Sequence, residues 1–255
     1  MREVVIRVEN LVKRFGNFVA NDHLNFEVYE GEIFGFLGAN GAGKTTALRI
    51  LSGLSSPTGG NVMVAGFDAK RQGEKIKRNI GYMCQRFSLY NDLTVRENIT
   101  LYGGIYGMSS SLIKQRMDEL LRQLEFEEYA DRLIGGLPLG LKQKLAFSVA
   151  IFHQPRIVFL DEPTGGVDPI ARRQFWEQIY AAAARGITVF VTTHYMDEAE
   201  YCDRIGLVYR GKLIASGTPD DLKAQAADEQ QPDPTMEQAF ITLINDWDKE
   251  HADER

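Results

Sequence analysis

Residues 38–46 read Gly-Ala-Asn-Gly-Ala-Gly-Lys-Thr-Thr, directly after the apolar run Ile33-Phe34-Gly35-Phe36-Leu37. Residues of these types at this spacing suit the binding of phosphate. Gly38, Gly41 and Gly43 let the backbone turn so that successive N–H groups, with those of Ala39, Asn40 and Ala42, face inward at anionic oxygens. A helix expected from about Lys44 through Thr46 to Leu51 turns its positive end to the same anion. Lys44 has the reach for β- and γ-phosphates, and the Thr45 hydroxyl suits Mg²⁺. The run therefore predicts a nucleoside triphosphate as ligand.

A second set of chemical groups lies far downstream. Ile157-Val158-Phe159-Leu160 carries Asp161 and Glu162 at the end of an expected buried parallel strand, the edge at which open α/β sheets bind ligands. Asp161 fits the carboxylate on the Mg²⁺ side, and Glu162 fits the base that orients and deprotonates an attacking water. Glu162 alone would read as a solvated acid near a strand end. Gln85, after the strand-like run Ile80 to Met83, offers an amide to Mg²⁺ and water, or else a polar cap. His194 ends the strand Thr188 to Thr193 and can face the γ-phosphate. A lone histidine is otherwise a hydrogen-bonded structural residue, the reading given to His23, His153 and His251.

The elements that must position these groups follow from the periodicity. Val4 to Val8 and Leu24 to Phe36 have strand character, broken at Phe15-Gly16-Asn17 and Glu30-Gly31. Val62 to Val64 adds a short strand. From about Phe87 to Gly136, Leu112, Arg116, Leu120, Leu121 and Leu124 recur at helical spacing among charges, which predicts an inserted helical lobe. A helix from about Ile170 to Ala184 joins two strands in a β-α-β crossover. The expected fold is α/β, a phosphate-loop (RecA-like) core with a mostly parallel sheet, an antiparallel β-subdomain near the N-terminus and an inserted α-helical subdomain. Residues 1–223 make one domain; 224–255 make a polar linker and an amphipathic helix bearing Met236, Phe240, Leu243, Ile244 and Trp247.

Composition narrows the class. The chain has 255 residues, 44% hydrophobic and 25% charged, enough for one sizeable core. A formal charge of −6 gives no reason to expect nucleic acid as a partner. Cys84 and Cys202 lie far apart without metal-ligand spacing and are expected as reduced, buried thiols, as in the cytosol. No window approaches the ~18 continuous apolar residues of a membrane span, and the N-terminus has no apolar signal core. Any membrane role must come through a partner.

Taken in order, the residues 38–46, then Gly81-Tyr82-Met83-Cys84-Gln85, then Leu160-Asp161-Glu162-Pro163-Thr164-Gly165-Gly166-Val167-Asp168-Pro169, then Thr192-Thr193-His194 resemble the ATP-binding subunits of ABC transporters over nearly the whole chain. The resemblance implies an ATPase with ATP and Mg²⁺ as cofactors. It implies adenine stacking on Phe15, which from its residue type alone is equally a core filler. It also implies that Asp168 lies in the loop crossing to a second nucleotide-binding subunit, in a homodimer or heterodimer. The stretches 193–205 and 211–219 look most like the ABC-2 group of exporters, which includes daunorubicin-type drug pumps and multidrug or sodium exporters. That implies integral-membrane permease partners and a peripheral place on the cytoplasmic face of a bacterial inner membrane. Two other readings remain: a soluble ABC-type ATPase acting on ribosomes or DNA, and a regulatory nucleotide-binding module.

The chain departs from the family at one place. Where such subunits carry Leu-Ser-Gly-Gly-Gln, this chain has Leu137-Pro138-Leu139-Gly140-Leu141. In the family this run closes over ATP held by the other subunit, its serine hydroxyl and glycine amides donating to the γ-phosphate. Pro138 has neither hydroxyl nor N–H, and Leu139 brings a Cβ where close approach wants glycine. Losing one preorganised donor typically costs on the order of 3 kcal/mol of transition-state stabilisation. Either the chain hydrolyses slowly as a homodimer, or it pairs with an intact run elsewhere, or the remaining amides suffice.

Overall fold

A computed structural model describes residues 2–85, 89–228 and 231–252. Strands β1 (Val4–Phe15) and β2 (Phe18–Tyr29) form a long antiparallel hairpin turning at Gly16, and β3 (Ile33–Leu37) leads into the phosphate loop and helix α1 (Lys44–Leu51). Next come β4 (Gly59–Val64), β5 (Phe67–Asp68), α2 (Gly73–Asn79) and β6 (Ile80–Met83). Helices α3 (Val95–Ile105), α4 (Ser110–Leu124) and α5 (Leu139–Ala150) lie between β6 and β7 (Ile157–Asp161). The chain continues through α6 (Pro169–Ala183), β8 (Thr188–Thr193), β9 (Arg204–Tyr209), β10 (Lys212–Gly217), α7 (Pro219–Ala226) and α8 (Met236–Glu250).

Two sheets result. One is antiparallel, in the order β2-β1-β4-β5; the other runs β10-β9-β3-β8-β7-β6, parallel except for the β9–β10 pair. Every residue of β3, β7 and β8 is buried, as parallel strands covered on both faces require. The two faces carry different side chains. Phe34, Phe36, Phe159 and Phe190 point to the antiparallel sheet and stack around Phe26, with Phe34 and Phe190 centroids 5.6 Å apart. Val158, Leu160, Val189 and Val191 point the other way, into a core shared with Phe147 of α5 and Phe175 and Trp176 of α6. Alternation of side chains along a strand makes this division possible.

The expected β-subdomain is thus a four-stranded sheet, with β1 and β4 running well beyond the residues singled out by alternation. Bulges in β1 explain why its pattern is hard to read past Val8: the register shifts between Val8 and Leu11 and twice more before Phe15. Helix α3 opens on a reciprocal capping box between Thr94 and Glu97. Helix α4 is capped by Ser109 and packs against α3 and α5, burying Ile113, Met117, Leu121 and Leu124. Phe87, the expected start of the helical lobe, lies outside the described residues. The polar stretch expected from residue 224 begins later, since Ala224 to Ala226 complete α7, whose Thr218–Asp221 capping box and Pro219 start it firmly. Helix α8 packs on α7 and β10, with Trp247 edge-on to Tyr209. Cys202 is buried as expected, whereas Cys84 is only half-buried, because it follows β6 where the chain leaves the sheet; neither is in a disulfide.

His153, in the turn between α5 and β7, joins the helical insertion to the sheet. Its ring stacks on Tyr106 after α3, with centroids 3.7 Å apart, and Nε2 lies 3.2 Å from the carbonyl oxygen of Ile80. Burial pushes its pKa down to about 4, Arg116 adds to the depression, and the Ile80 contact opposes it. The unfolded chain therefore binds a proton that the folded chain refuses between about pH 6.5 and 4. Stability from this site is complete above pH 6.5 and is lost as pH falls through that window. The gap corresponds to about 3 kcal/mol at most, and partial exposure of the ring reduces it to about 1–2 kcal/mol. Urea unfolding at pH 7.5 and 5.0 crosses about three fifths of that window, so His153→Gln should flatten the acid loss of stability by about 1 kcal/mol or somewhat less; an unchanged difference between the two pH values would remove His153 as its source.

Candidate nucleotide site

The phosphate loop is shaped by what surrounds it. Gly41 and Gly43 have φ of 81° and 101°, and a Cβ on Gly38 would lie 2.2 Å from the carbonyl oxygen of Val208. The turn between β9 and β10 supports the loop, the Gly211 N–H donating to the Ala42 carbonyl at 3.0 Å. On the other side Asn21 of β2 donates to the Gly43 carbonyl at 3.1 Å. Helix α1 has no side-chain cap at its N-terminus, so its first N–H groups are left to an anion.

Lys44 is almost wholly buried, and its Nζ donates to the carbonyls of Gly38 at 2.7 Å and Ala39 at 3.1 Å. The same nitrogen lies 3.5 Å from Glu162 Oε1. Burial lowers the Lys44 pKa, opposed by the charges of Glu162 and Asp161. Asp161, at the end of β7, receives two hydroxyls on Oδ1: Thr192 at 2.7 Å and Thr45 at 3.2 Å. Burial raises the pKa of its carboxyl; the bonds from Thr192 and Thr45 pull it back.

Glu162 follows in a left-handed backbone conformation, φ 48°, which for a residue with a side chain costs on the order of 1–3 kcal/mol. Its N–H is held by the Thr192 carbonyl at 3.0 Å and the Thr192 hydroxyl at 3.2 Å. The turn throws the carboxylate back over the phosphate loop. There Gln85 Nε2 donates to Oε2 at 2.7 Å, and His194 Nδ1 sits 3.2 Å from the same oxygen without the alignment of a hydrogen bond. Four separate chain segments thus meet at one carboxylate: Lys44, Gln85 and His194 around Glu162.

The remaining expected residues are placed apart from that cluster. Phe15 lies at the tip of the β1–β2 hairpin, opposite Phe18, and is 56% exposed, which rules out a core role. Lys13 Nζ lies 5.1 Å from the centre of its ring. Asp168 caps α6, its Oδ1 accepting from the N–H groups of Ile170 and Ala171 at 3.0 Å each. Pro138 is the N-cap of α5 with no side-chain bond to give, so the amides of Leu139, Gly140 and Leu141 open the helix uncapped. Leu137 is buried and Leu139 is exposed. This run and the Asp168 loop are neighbours, since a Cβ on Gly140 would lie 3.1 Å from that of Ala171.

Thr192 enters the sequence reading only as a neighbour of His194, with no role of its own, yet its hydroxyl donates to the Asp161 carboxylate and accepts from the Glu162 N–H. The signal was present: it stands two residues before His194 on the same face of β8 and opposite Asp161 in register. Thr45, Asp161 and Gln85 carry side-chain oxygens that could hold a cation, the hard ligands Mg²⁺ takes beside phosphate oxygens and water. Among the described residues there is no cluster of three or more acidic, His or Cys side chains that could hold a metal ion.

Comparison with known proteins points the same way. Residues 21–165 match the family model described as ABC transporter. The chain is 54% identical over 252 residues to a protein named probable multidrug ABC transporter ATP-binding protein YbhF of Escherichia coli (strain K12), covering 99% of this chain and 44% of that protein. It is 39% identical over 215 residues to the Nod factor export ATP-binding protein I of Burkholderia lata, covering 84% and 71% of the two chains. A solved structure described as a dimeric post-hydrolysis state of the ATP-binding cassette MJ0796 bound to ADP and Pi superposes with TM-score 0.75 and 27% identity, over 84% of this chain and 98% of that one. The chain belongs to the ABC transporter ATP-binding family, and it spans under half the length of the E. coli relative.

Thr192→Val keeps the shape and removes the hydroxyl. It is expected to raise about tenfold or more the Mg²⁺ concentration at which ATP protects the protein thermally, the scale of about 1.5 kcal/mol or more for a bond to a charged group, and Thr192→Ser should restore it. Equal Mg²⁺ dependence of the melting temperature in the two proteins would leave Thr192 with a purely structural part.

Proposed function

We propose that this chain is the ATP-hydrolysing unit of an ABC-2 type exporter. The observation that carries the chemistry is the Glu162 carboxylate, held over the phosphate loop by contacts from Lys44, Gln85 and His194. Loop amides from Gly38 to Thr46 and the α1 terminus bind the phosphates, and Lys44 exchanges its carbonyl partners for phosphate oxygens. Thr45, Asp161 and the Gln85 amide oxygen would hold Mg²⁺, which when bound neutralises charge on the β- and γ-phosphates.

Glu162 orients a water in line with the γ-phosphorus and takes its proton as the oxygen–phosphorus bond forms. The bond from the γ-phosphorus to the bridging oxygen breaks, giving ADP and inorganic phosphate, and the proton passes from Glu162 to solvent. His194 and Gln85 fix the carboxylate and contact the γ-phosphate and water from either side. Phe15, exposed at the hairpin tip, offers its face to adenine. Residues 1–223 act as one ATPase domain with the helical subdomain at about 87–136.

The uncapped N-terminus of α5 and the neighbouring Asp168 complete a nucleotide site on a second subunit, in trans. Relatives whose names state multidrug transport and Nod factor export support the exporter role. Permease subunits are the implied membrane partners, since no helix among the described residues is long and apolar enough to cross a membrane. The chain then sits peripherally at the cytoplasmic face, its dimerisation driven by ATP.

Two tests separate the parts of this reading. Glu162→Gln should leave ATP affinity nearly intact and lower turnover by about 10²-fold or more, the scale of a lost general base. Lys44→Ala should weaken both. Nucleotide affinity and phosphate release are measured on one preparation, and undiminished turnover in Glu162→Gln removes the base from the mechanism. The double change Pro138→Ser with Leu139→Gly should raise turnover of the dimer several-fold, with monomer affinity unchanged. The new serine also caps α5, worth about 1 kcal/mol of stability. A stable double variant that is no faster shows that the missing donors do not limit hydrolysis.

A further inference from the structure

Glu198 follows β8 in a short 3₁₀ segment, and its side chain is fully buried. A carboxylate is buried at a cost that needs a partner. Its Oε1 accepts the Thr164 hydroxyl at 2.5 Å and lies 3.7 Å from Arg172 Nε. Thr164 belongs to the loop from Glu162 to Asp168. Arg172 is one helical turn into α6, its N–H bonded to the Asp168 carbonyl at 3.0 Å. The guanidinium lies 4.4 Å over the Tyr195 ring, which packs on His194 with centroids 4.2 Å apart. His194 closes the circuit at Glu162 Oε2, 3.2 Å away.

We infer that Glu198 and Arg172 are positioning residues that hold His194 and the Thr164–Asp168 loop as one unit against Glu162. The inference rests on the hydrolytic reading of Glu162 and His194 given above. Glu198 binds the loop directly and reaches the histidine only through Arg172 and Tyr195. Arg172 is the joint: its other end pairs with Asp197 at 3.3 Å on the segment that carries Tyr195. Glu198 Oε2 and Arg172 Nε have no hydrogen-bond partner among the described residues. Arg172 Nε stands 3.7 Å from the other oxygen, Oε1, and closing that gap by about an ångström would turn the ion pair into a charge-assisted hydrogen bond, drawing α6 and the His194 segment together. Displacement of the Asp168 loop by a second subunit therefore moves His194 with it.

The test is a mutant cycle on the full chain, with ATP affinity, kcat and KM measured on folded protein. Glu198→Gln keeps an acceptor for Thr164 and removes the charge that Arg172 faces. Arg172→Lys, at a partly exposed site, keeps the charge and removes the planar stack on Tyr195. Each should lower kcat about tenfold with ATP affinity unchanged, and neither should lower kcat further in a His194→Ala background, because residues acting as a unit are not additive. Parallel losses of affinity, kcat and melting temperature, or losses that multiply with His194→Ala, would overturn the inference. Undiminished kcat in His194→Ala alone overturns the reading of the site on which the inference rests.

Discussion

Parallel strands β3, β8, β7 and β6 pair so that their ends come level: Leu37 opposite Thr193, Thr192 opposite Asp161, and Leu160 opposite Met83. Everything chemical in the molecule depends on that register. It delivers the phosphate loop, the Asp161–Glu162 pair, Gln85 and His194 to one edge of the sheet from four distant parts of the chain. The register is enforced by unlike faces. A slip of one residue would send Phe34, Phe36, Phe159 and Phe190 into the space shaped for the aliphatic side.

At that edge the charges are interdependent. Burial lowers the Lys44 pKa, and the neighbouring Glu162 and Asp161 carboxylates oppose that shift. Asp161 in turn is buried, which raises the pKa of its carboxyl, and the hydroxyls of Thr192 and Thr45 oppose the rise. Removing one member strands the others, since an unpaired buried charge costs more than the pair contributes. The left-handed backbone at Glu162 adds strain at the one residue that must leave the strand and face the loop. Pro163 directly after it limits the alternatives open to that backbone.

The outer half of the site is built differently. The α5 terminus and the Asp168 loop lie side by side, and Asp168 already spends one oxygen capping α6. Rigid capping at α6 and an uncapped start at α5 leave the latter amides as the donors on that surface. The buried Glu198 ties the same loop to the segment that follows β8 and His194, so inner and outer halves share a mechanical link.

Local chemistry was legible in the sequence where one short run carries its own geometry. Gly38 to Thr46 needs its glycines for positive φ and close approach, and Asp161-Glu162 needs four buried residues before it. Period-two and helical spacing likewise placed the central strands, the crossover helix and α4. Contacts between distant segments were decided only by tertiary structure. Thr192 reads as one more strand threonine until pairing sets it against Asp161. Phe15 was ambiguous until the β1–β2 hairpin left it exposed. The strands β9 and β10 gave no separate signal, yet their turn supports the phosphate loop through Gly211. Glu198 looks like a helical surface acid, and only packing of α6 against the end of β8 buries it beside Arg172. A sequence states which groups a local turn can present; which buried groups must face one another is settled when the sheet closes its register and the helices cover it.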